Sequence, residues 1–215
     1  MRNLMPLLLV LCAPASADLL LSYNGFYNRM KKLQQPEYSD ITLAFALTGE
    51  RSGQACKYYS LGLKSDLHDI VLDIAGNGEI SLPYDEALKD SNAVLEVLQA
   101  DNAEPCQVQF RVRSRMRLAN ELTLSQLQHY RSQFDLLLDD MAGISKRWLP
   151  DVSGVIVEFA DVVTPPRMTA GAAEATQCSD KRCYIRLNSS LAADSRWQFS
   201  QRPVYLLPLI DSAAQ

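Results

Sequence analysis

Four arginines at alternate positions have the spacing that most directly indicates a chemical role, which is the binding of anions. They are Arg111, Arg113, Arg115 and Arg117. If residues 107–117 form a β-strand, successive side chains alternate between its faces, so the four guanidiniums share one face about 7 Å apart. Guanidinium groups donate paired hydrogen bonds to carboxylate and phosphate oxygens. The pattern therefore predicts a binding surface for an anionic group. The residues expected to face the core are Val108, Phe110, Val112 and Met116.

The same arginines also permit structural interpretations. Glu96 or Asp101, on or beside the preceding predicted strand, would pair with them across a hairpin. Charged side chains also protect an edge strand from aggregation. If the partner is external, it is a phosphorylated lipid headgroup, an acidic polysaccharide or an acidic protein of the envelope. At the level of sequence the structural and the ligand-binding interpretations both stay open.

Residues suited to acid–base or nucleophilic catalysis are scarce. The two histidines, His68 and His129, belong to no recognisable motif, and His129 points away from the apolar stripe of its predicted helix towards solvent. The chain contains no G-x-S-x-G elbow, no H-E-x-x-H helix and no Gly-rich phosphate loop. The sequence therefore predicts no catalytic residue, no metal and no cofactor, and it favours a protein that is not an enzyme.

Carboxylate chemistry is the enzymatic alternative, because a glycan hydrolase needs only two acids brought together by the fold. The visible acidic pairs are Asp139-Asp140, near the end of a predicted helix, and Asp85-Glu86. Adjacent residues on a helix do not share a face. Asp85 is better interpreted as the cap of a short helix within residues 84–90. A hydrolase with paired carboxylates is kept as the alternative function.

The cysteines indicate an oxidising compartment. Loss of Cys12 with a signal peptide leaves four cysteines, which can pair into two disulfides in three ways. These cysteines are Cys56, Cys106, Cys178 and Cys183. The short step from Cys178 to Cys183 suggests a local disulfide, which leaves Cys56 to pair with Cys106. A four-thiolate metal site is the alternative, but the paired C-x-x-C steps typical of such sites are absent from the sequence.

Residues 1–17 have the pattern of a cleavable secretory signal peptide. Arg2 is followed by the apolar run Leu4–Leu11 and by the small-x-small site Ala15-Ser16-Ala17. The apolar run is about half of the ~20 residues that span a bilayer, and no later stretch is apolar enough for a transmembrane segment. Lipid attachment at Cys12 is the alternative, although Leu11 is larger than the residue that normally precedes a lipidated cysteine.

The charge balance argues against one class of partner. With Arg2 removed, 20 basic residues stand against 25 acidic ones, which is a formal charge of −5. Nucleic-acid binding needs a net basic surface. We therefore expect no nucleic-acid partner, although a local basic surface is compatible with this balance.

The elements that must position these residues are two helices and a set of short strands. Apolar spacing predicts the principal helices at 23–33 and 124–141; the first also fits a membrane-surface helix. Gly76-Asn77-Gly78 predicts a hairpin, residues 93–99 and 107–116 a second antiparallel pair, and residues 164–180 a long loop. The predicted strands are 41–47, 56–63, 69–74, 79–82, 93–99, 107–116, 152–159, 183–187, 197–199 and 203–209.

The expected fold is α+β, a mainly antiparallel sheet covered by the two helices and held by two disulfides. Residues 18–215 form either one domain or two similar lobes, 18–118 and 119–215. The two-lobe hypothesis of an internal duplication rests on an order that occurs twice: helix, apolar strand, cysteine strand, strand ending in Leu-Pro. The step from cysteine to proline is 27 residues in one half and 25 in the other. Chance similarity is the alternative, and different strand orders in the two halves would end the hypothesis.

Three segments carry a family resemblance: Leu21–Tyr27, Gly78–Asp85 and Phe199–Pro208. Together they resemble a family of secreted proteins of Gram-negative bacteria that is grouped as a domain of unknown function. The resemblance covers essentially the whole chain after the signal peptide and implies a periplasmic location. It implies no activity, cofactor or site residue. We therefore predict a non-enzymatic periplasmic protein that binds an anionic envelope component or a protein partner through the four arginines.

Overall fold

The computed structural model describes residues 18–75, 78–142, 151–169 and 171–210. The predicted signal peptide at 1–17, Gly76 and Asn77 of the predicted hairpin turn, and residues 143–150 after the second helix lie outside these ranges. The helices are α1 (Tyr23–Lys32), a 3-10 turn (Pro36–Tyr38), α2 (Glu86–Asp90) and α3 (Leu124–Ala142). The strands are β1 (Leu19–Ser22), β2 (Ile41–Gly49), β3 (Tyr58–Lys64), β4 (Asp69–Val71), β5 (Glu79–Ile80), β6 (Val94–Gln99), β7 (Cys106–Ser114), β8 (Glu121–Thr123), β9 (Val152–Glu158), β10 (Arg167–Met168), β11 (Thr176–Ser179), β12 (Arg182–Arg186), β13 (Arg196–Gln198) and β14 (Tyr205–Ile210).

The fold is α+β and mainly antiparallel, as predicted. Within the described ranges the strands form four sheets, with the orders β1-β6-β3-β4, β5-β2-β7, β10-β13-β8 and β11-β12-β9-β14. The two longer helices, α1 and α3, are the two that the apolar spacing predicts. No helix in the described part of the chain is both long and apolar enough to cross a bilayer.

The chain divides into two compact units. Unit 1 holds the chain up to Asn24 together with Leu47–Gln109, and unit 2 holds Gly25–Ala46 together with Phe110–Gln215. These boundaries differ from the predicted lobes 18–118 and 119–215, because residues 25–46 and 110–118 belong to unit 2. The difference arises because β2 and β7 are each nine residues long, and each contributes residues to both units.

The core of unit 1 lies against the sheet β1-β6-β3-β4. Successive side chains of β6 alternate between its faces, so that Leu95 and Val97 are completely buried. Leu63 and Leu61 of β3 lie opposite these two residues and are buried with them. Complete burial of each such side chain stabilises the fold by roughly 1.5–3 kcal/mol.

The start of α2 shows the predicted cap. The Asp85 carboxylate accepts a hydrogen bond from the backbone N–H of Ala87 over 2.7 Å. The buried Tyr23 hydroxyl donates to the Pro83 carbonyl oxygen over 2.6 Å and accepts from the Asp85 N–H. Asp85 is therefore a structural residue, as its sequence position predicts.

The core of unit 2 lies between α3 and the sheet β11-β12-β9-β14, since α3 contacts β9 and β14. Leu127, Phe134 and Leu137 are completely buried, which confirms the predicted apolar stripe at these positions. In β9, a Cβ at Gly154 would collide with the Ile185 carbonyl oxygen of β12. Glycine is therefore required for the two strands to approach closely.

Both predicted disulfides are present. Cys56 pairs with Cys106 in unit 1, and Cys178 pairs with Cys183 in unit 2. The second bond joins directly opposed residues of the β11–β12 hairpin. On the chain-entropy model the long loop closure contributes about 4 kcal/mol and the short one about 2 kcal/mol.

One predicted strand pairing and one predicted loop are wrong. β6 and β7 do not form a hairpin: β6 lies between β1 and β3, whereas β7 is bonded to β2. The predicted loop at 164–180 contains β10 and β11. The hairpin around residues 75–79 is present at its flanks, where Ile74 bridges Ile80 and the Ala75 N–H bonds to the Glu79 carbonyl.

The internal duplication stays a prediction. The cysteine strand of the second half, β12, is hydrogen-bonded to the apolar strand β9. In the first half β3 begins after Cys56 and is bonded to β6 and β4, but the Cys56 N–H bonds to the Leu47 carbonyl oxygen of the apolar strand β2. The cysteine segment therefore contacts the apolar strand in both halves, and chance similarity stays the alternative.

Candidate functional site

Only two of the four arginines predicted to share one face lie in a strand. β7 ends at Ser114, so Arg111 and Arg113 lie in the strand and are half-buried, whereas Arg115 and Arg117 follow it and are exposed. Of the residues expected to face the core, Val112 is buried but Met116 is 67% exposed. The alternation fails here because the chain bends immediately after Ser114.

Arg111 makes a two-oxygen contact with a glutamate of unit 2. Its Nη2 donates to Oε1 and Oε2 of Glu158 over 3.0 and 2.9 Å. Arg182 of β12 donates to the same carboxylate, from Nε over 3.1 Å and from Nη2 over 2.8 Å to Oε1. One carboxylate therefore bonds to two guanidiniums. The Glu158 side chain is only 18% exposed, which keeps the three charged groups close together and partly shielded from water.

Arg113 completes the group by stacking on an aromatic ring. Its guanidinium carbon lies 3.9 Å from the centre of the Tyr205 ring, and its Nη1 donates to the Ser114 carbonyl oxygen over 2.9 Å. Tyr205 and Arg182 both lie directly opposite Glu158 in the sheet register, and opposed residues project from the same face. We call Arg111, Arg113 and Arg182, with Glu158 and Tyr205, the arginine cluster.

A buried serine fixes the strand end that carries this cluster. The Ser114 hydroxyl is completely buried and accepts a hydrogen bond from the Leu206 N–H of β14 over 3.0 Å. Ser114 follows Arg113 directly and Leu206 follows Tyr205. The contact therefore fixes the position of the Arg113 guanidinium relative to the Tyr205 ring on which it stacks.

The arginine cluster has an excess positive charge. Glu158 accepts hydrogen bonds from two guanidiniums, so these three groups carry a charge of +1 on a chain whose formal net charge is −4. The hydrogen bond to Glu158 raises the pKa of Arg182 above its ordinary value. Both bonds from Arg111 come from Nη2, so Glu158 uses only part of the five-donor guanidinium. The cluster can therefore donate further hydrogen bonds to an anion.

Arg115 and Arg117 differ from the cluster. Arg115 donates from Nε to the Ser39 carbonyl and from Nη2 to the Ile41 carbonyl, each over 3.1 Å. Its guanidinium thus ties the segment after β7 to the start of β2. Arg117 is exposed and forms no ion pair with the residues that the structure describes.

The internal partner of the arginines was not found from sequence. Of the two acids proposed for it, Glu96 pairs with Lys64 at 2.5 Å and Asp101 accepts from the Tyr59 hydroxyl. Glu158 was missed because it lies far from Arg111 along the chain. The available signal was its position as the single charged residue at the end of an apolar strand.

A second polar cluster lies where α3 meets the start of β2. His129 is exposed, as predicted, but its Nε2 lies 2.8 Å from the Asp40 Oδ2. Gln133 Nε2 donates to the same oxygen over 3.1 Å. The hydrogen bond from His129, followed by that from Gln133, lowers the pKa of Asp40. We call these three residues the histidine cluster.

The histidine cluster borders a cavity of about 560 Å³ that acids line. Its acidic residues are Glu37, Asp135 and Asp139. Asp135 accepts a hydrogen bond from the Val152 N–H over 3.1 Å. Asp140, the neighbour of Asp139, accepts from the Tyr38 hydroxyl over 2.6 Å. Burial, then this carboxylate, raises the pKa of Tyr38.

The remaining candidates are structural. His68, in the turn that precedes β4, has its Nδ1 3.2 Å from Ser65 Oγ in the same turn and 3.3 Å from Ser91 Oγ at the end of α2. Among the described residues no group of three or more His, Cys, Asp or Glu side chains is arranged to hold a metal ion.

Comparison with known proteins gives one match. The model of the family described as "Protein of unknown function (DUF2987)" matches residues 15–159, which is more than half of the chain. No curated protein and no solved structure matches. The matched range contains the first two arginines of the cluster and Glu158, whereas Arg182 and Tyr205 lie beyond it.

Proposed function

Because the chain belongs to a family of proteins of unknown function, DUF2987, we propose a function from its site: it is a non-enzymatic protein that binds an anionic component of the cell envelope, or an acidic protein partner, through the arginine cluster. The observation that carries the proposal is the convergence of Arg111 and Arg182 on one carboxylate. It leaves a local excess of positive charge at a partly exposed place.

The energetics favour an anion at this position. Two guanidiniums about 7 Å apart repel each other by roughly 2 kcal/mol at an effective dielectric constant of about 20. Glu158 offsets part of the repulsion between Arg111 and Arg182, and the ring of Tyr205 attracts Arg113. A ligand with further negative charge would relieve the positive charge that Glu158 leaves uncompensated on Arg111 and Arg182. Arginine suits this role because its planar donors match the geometry of phosphate and carboxylate oxygens.

The proposed location is the periplasm. Two disulfides are typical of proteins in oxidising compartments. The pattern of residues 1–17 is that of a secretory signal peptide. The location supports the proposed ligand class, since phosphorylated lipids and acidic polysaccharides are accessible to a secreted envelope protein.

A hydrolase acting on glycan is the second candidate, and the cavity beside the histidine cluster is the observation that favours it. Glu37, Asp135 and Asp139 line this concave surface, and paired carboxylates carry glycoside hydrolysis. It predicts that D139N abolishes glycan cleavage while folding is unchanged. Absence of cleavage products from any envelope glycan by the wild-type chain would reject it.

The binding proposal is tested with residues 18–215 in the oxidised form. We would titrate the protein against anionic-lipid vesicles, lipopolysaccharide and acidic polysaccharide at low and moderate salt. The test variant carries R111Q, R113Q and R182Q. The matched control carries R51Q, R167Q and R196Q, which removes the same charge from exposed arginines outside the cluster.

Binding that weakens with salt, and weakens at least about tenfold further in the cluster variant, is the expected result, since hydrogen bonds to charged groups contribute ~1.5–3 kcal/mol each. The control should retain most of the affinity. Equal losses in the two variants, or no binding by the wild type, would overturn the proposal. Circular dichroism and thermal unfolding verify that both variants are folded.

A further inference from the structure

The contacts of Glu158 are those of a bound oxyanion. Its Oε1 accepts from Arg111 Nη2 and from Nε and Nη2 of Arg182, and its Oε2 accepts from Arg111 Nη2. Charge-assisted hydrogen bonds from guanidiniums are the contacts by which proteins bind phosphate as well as carboxylate. Glu158 therefore occupies a place in which a ligand oxyanion would make the same bonds.

We propose that the arginine cluster is a phosphate site, and that Glu158 is its internal competitor, which a phosphate group displaces from Arg111 and Arg182. This inference rests on the proposed anion-binding function and adds the ligand class and the residue that sets selectivity. The shared chemistry is a phosphate monoester, carried either on a lipid or on a soluble molecule.

An internal carboxylate selects against carboxylate ligands. A group tethered beside its partner acts at an effective concentration of roughly millimolar or more. A ligand carboxylate has the same charge and the same two oxygens as Glu158, so it gains nothing by the exchange. A phosphate monoester carries a charge of about −1.5 to −2 and three acceptor oxygens. It therefore bonds to both guanidiniums more strongly than Glu158 does.

The backbone around the cluster allows the side chain of Glu158 to move while the arginines stay in place. Glu158 is the last residue of β9, and its carbonyl oxygen accepts from the Val204 N–H over 2.8 Å. Arg182 precedes Cys183, whose disulfide to Cys178 closes the hairpin. The Lys181 carbonyl accepts from the Phe159 N–H over 2.8 Å, which fixes the same turn. The proposed displacement therefore moves the Glu158 side chain and leaves this backbone in place.

The first experiment compares E158Q with E121Q. Glutamine keeps the shape of Glu158 but loses the charge that competes. Glu121 pairs with Arg196 on a different sheet, so E121Q makes the same change of net charge away from the cluster. Wild type and both variants are titrated with inorganic phosphate and with acetate at constant ionic strength and pH 7.5, where phosphate is mainly the dianion.

We expect wild type and E121Q to bind phosphate and to bind acetate at least tenfold more weakly. E158Q should bind phosphate about tenfold more tightly and should bind acetate as well, so that the selectivity collapses. Phosphate binding by the wild type with unchanged affinity and selectivity in E158Q overturns the inference and leaves the proposed function standing. Binding of polyanionic surfaces without any binding of phosphate does the same. No anion binding by any variant overturns both.

A measurement on the wild type decides the case in which E158Q does not fold. The carboxyl carbon of Glu158 is followed by ¹³C NMR while phosphate is added. A change in chemical shift that saturates with phosphate binding supports displacement, and an unchanged shift at saturation overturns it. Vesicles containing phosphatidic acid then identify the source. Much tighter binding to vesicles than to inorganic phosphate indicates a lipid, and equal affinities indicate a soluble phosphorylated molecule.

Discussion

The arginine cluster and the histidine cluster both lie in unit 2, and they resolve their charges in opposite ways. In the first, one carboxylate receives two guanidiniums and positive charge remains in excess. In the second, the Asp40 carboxylate is satisfied by His129 and by the neutral amide of Gln133, beside a cavity lined with further acids. Both clusters are built on hydrogen bonds to a carboxylate, but the surroundings are positively charged in the arginine cluster and negatively charged beside the histidine cluster.

The difference shows which contacts a structural role accounts for. The bonds within the histidine cluster join α3 to the start of β2 and satisfy their own groups, so a structural role accounts for them. The bonds of the arginine cluster leave donors of Arg111 that Glu158 does not use. The positive charge that Glu158 leaves uncompensated on Arg111 and Arg182 is the physical reason for proposing that the arginine cluster binds an anion.

Reversal of one charge in the arginine cluster, and of one charge beside the histidine cluster, should give the largest contrast in anion affinity. R182E replaces two charge-assisted hydrogen bonds by repulsion between its new carboxylate and Glu158. We expect at least a roughly hundredfold loss of affinity for phosphate and polyanions, since such bonds contribute ~1.5–3 kcal/mol each. Isothermal titration calorimetry measures this loss. Arg182 is about half exposed, so the variant should fold.

The corresponding change beside the histidine cluster is D139K, on the wall of the cavity that this cluster borders. It should leave anion affinity unchanged or raise it slightly, because it adds positive charge outside the arginine cluster. If D139K and R182E reduced anion binding equally, the contrast between the two regions would be lost and the acidic cavity would become part of the binding site.

Removal of the Cys178–Cys183 disulfide should have the next largest effect. C178S/C183S is expected to lower the free energy of unfolding by about 2 kcal/mol on the chain-entropy model. Anion affinity should fall a few-fold as well, because Arg182 adjoins the bond. Urea unfolding and the phosphate titration measure the two effects. A stability loss without any change in affinity would show that the hairpin does not need the disulfide to position Arg182.

The stacking of Arg113 on Tyr205 should contribute less. Y205L keeps an apolar side chain but removes the ring, and cation–π contacts at exposed sites contribute about 0.5–1 kcal/mol. We expect a two- to fivefold loss of anion affinity, with Y205F close to wild type because it retains the ring. A loss in Y205F as large as that in Y205L would transfer the role from the ring to the hydroxyl.

The sequence predicted the elements of this fold better than their partners. The stripe of α3 and the apolar strand β9 are visible because burial imposes a period on neighbouring residues. The partner of β6 was predicted wrongly because β1, only four residues long, occupies the position expected for β7. Neither a short edge strand nor the choice between two possible neighbours leaves a periodic signal.

The site was predictable only in part, for the same reason. Arg111 and Arg113 stand out through their alternation, but Arg182 and Glu158 enter the arginine cluster through sheet register, which links residues 24 positions apart. Arg115 shares the alternation and is not in the cluster, because the strand ends before it. Local patterns thus identify candidate side chains, whereas strand pairing decides which of them meet.

The smallest expected effect concerns the histidine cluster and sharpens its structural interpretation. The pKa of Asp40 is lowered in the folded state, chiefly by its hydrogen bond with His129. A carboxyl with a lowered pKa stabilises the fold above its ordinary pKa of 3.8, and this contribution is lost as the pH falls through the folded value. D40N should therefore reduce stability at pH 7 by less than about 1 kcal/mol, since the pair is partly exposed. The difference from wild type should shrink below about pH 3.8, as measured by urea unfolding at several pH values.

The control D194N changes an exposed aspartate elsewhere in unit 2 and should show no such convergence. A D40N difference that persists at acid pH would mean that Asp40 acts through its backbone neighbours, and the histidine cluster would no longer contrast with the arginine cluster as a self-satisfied charge.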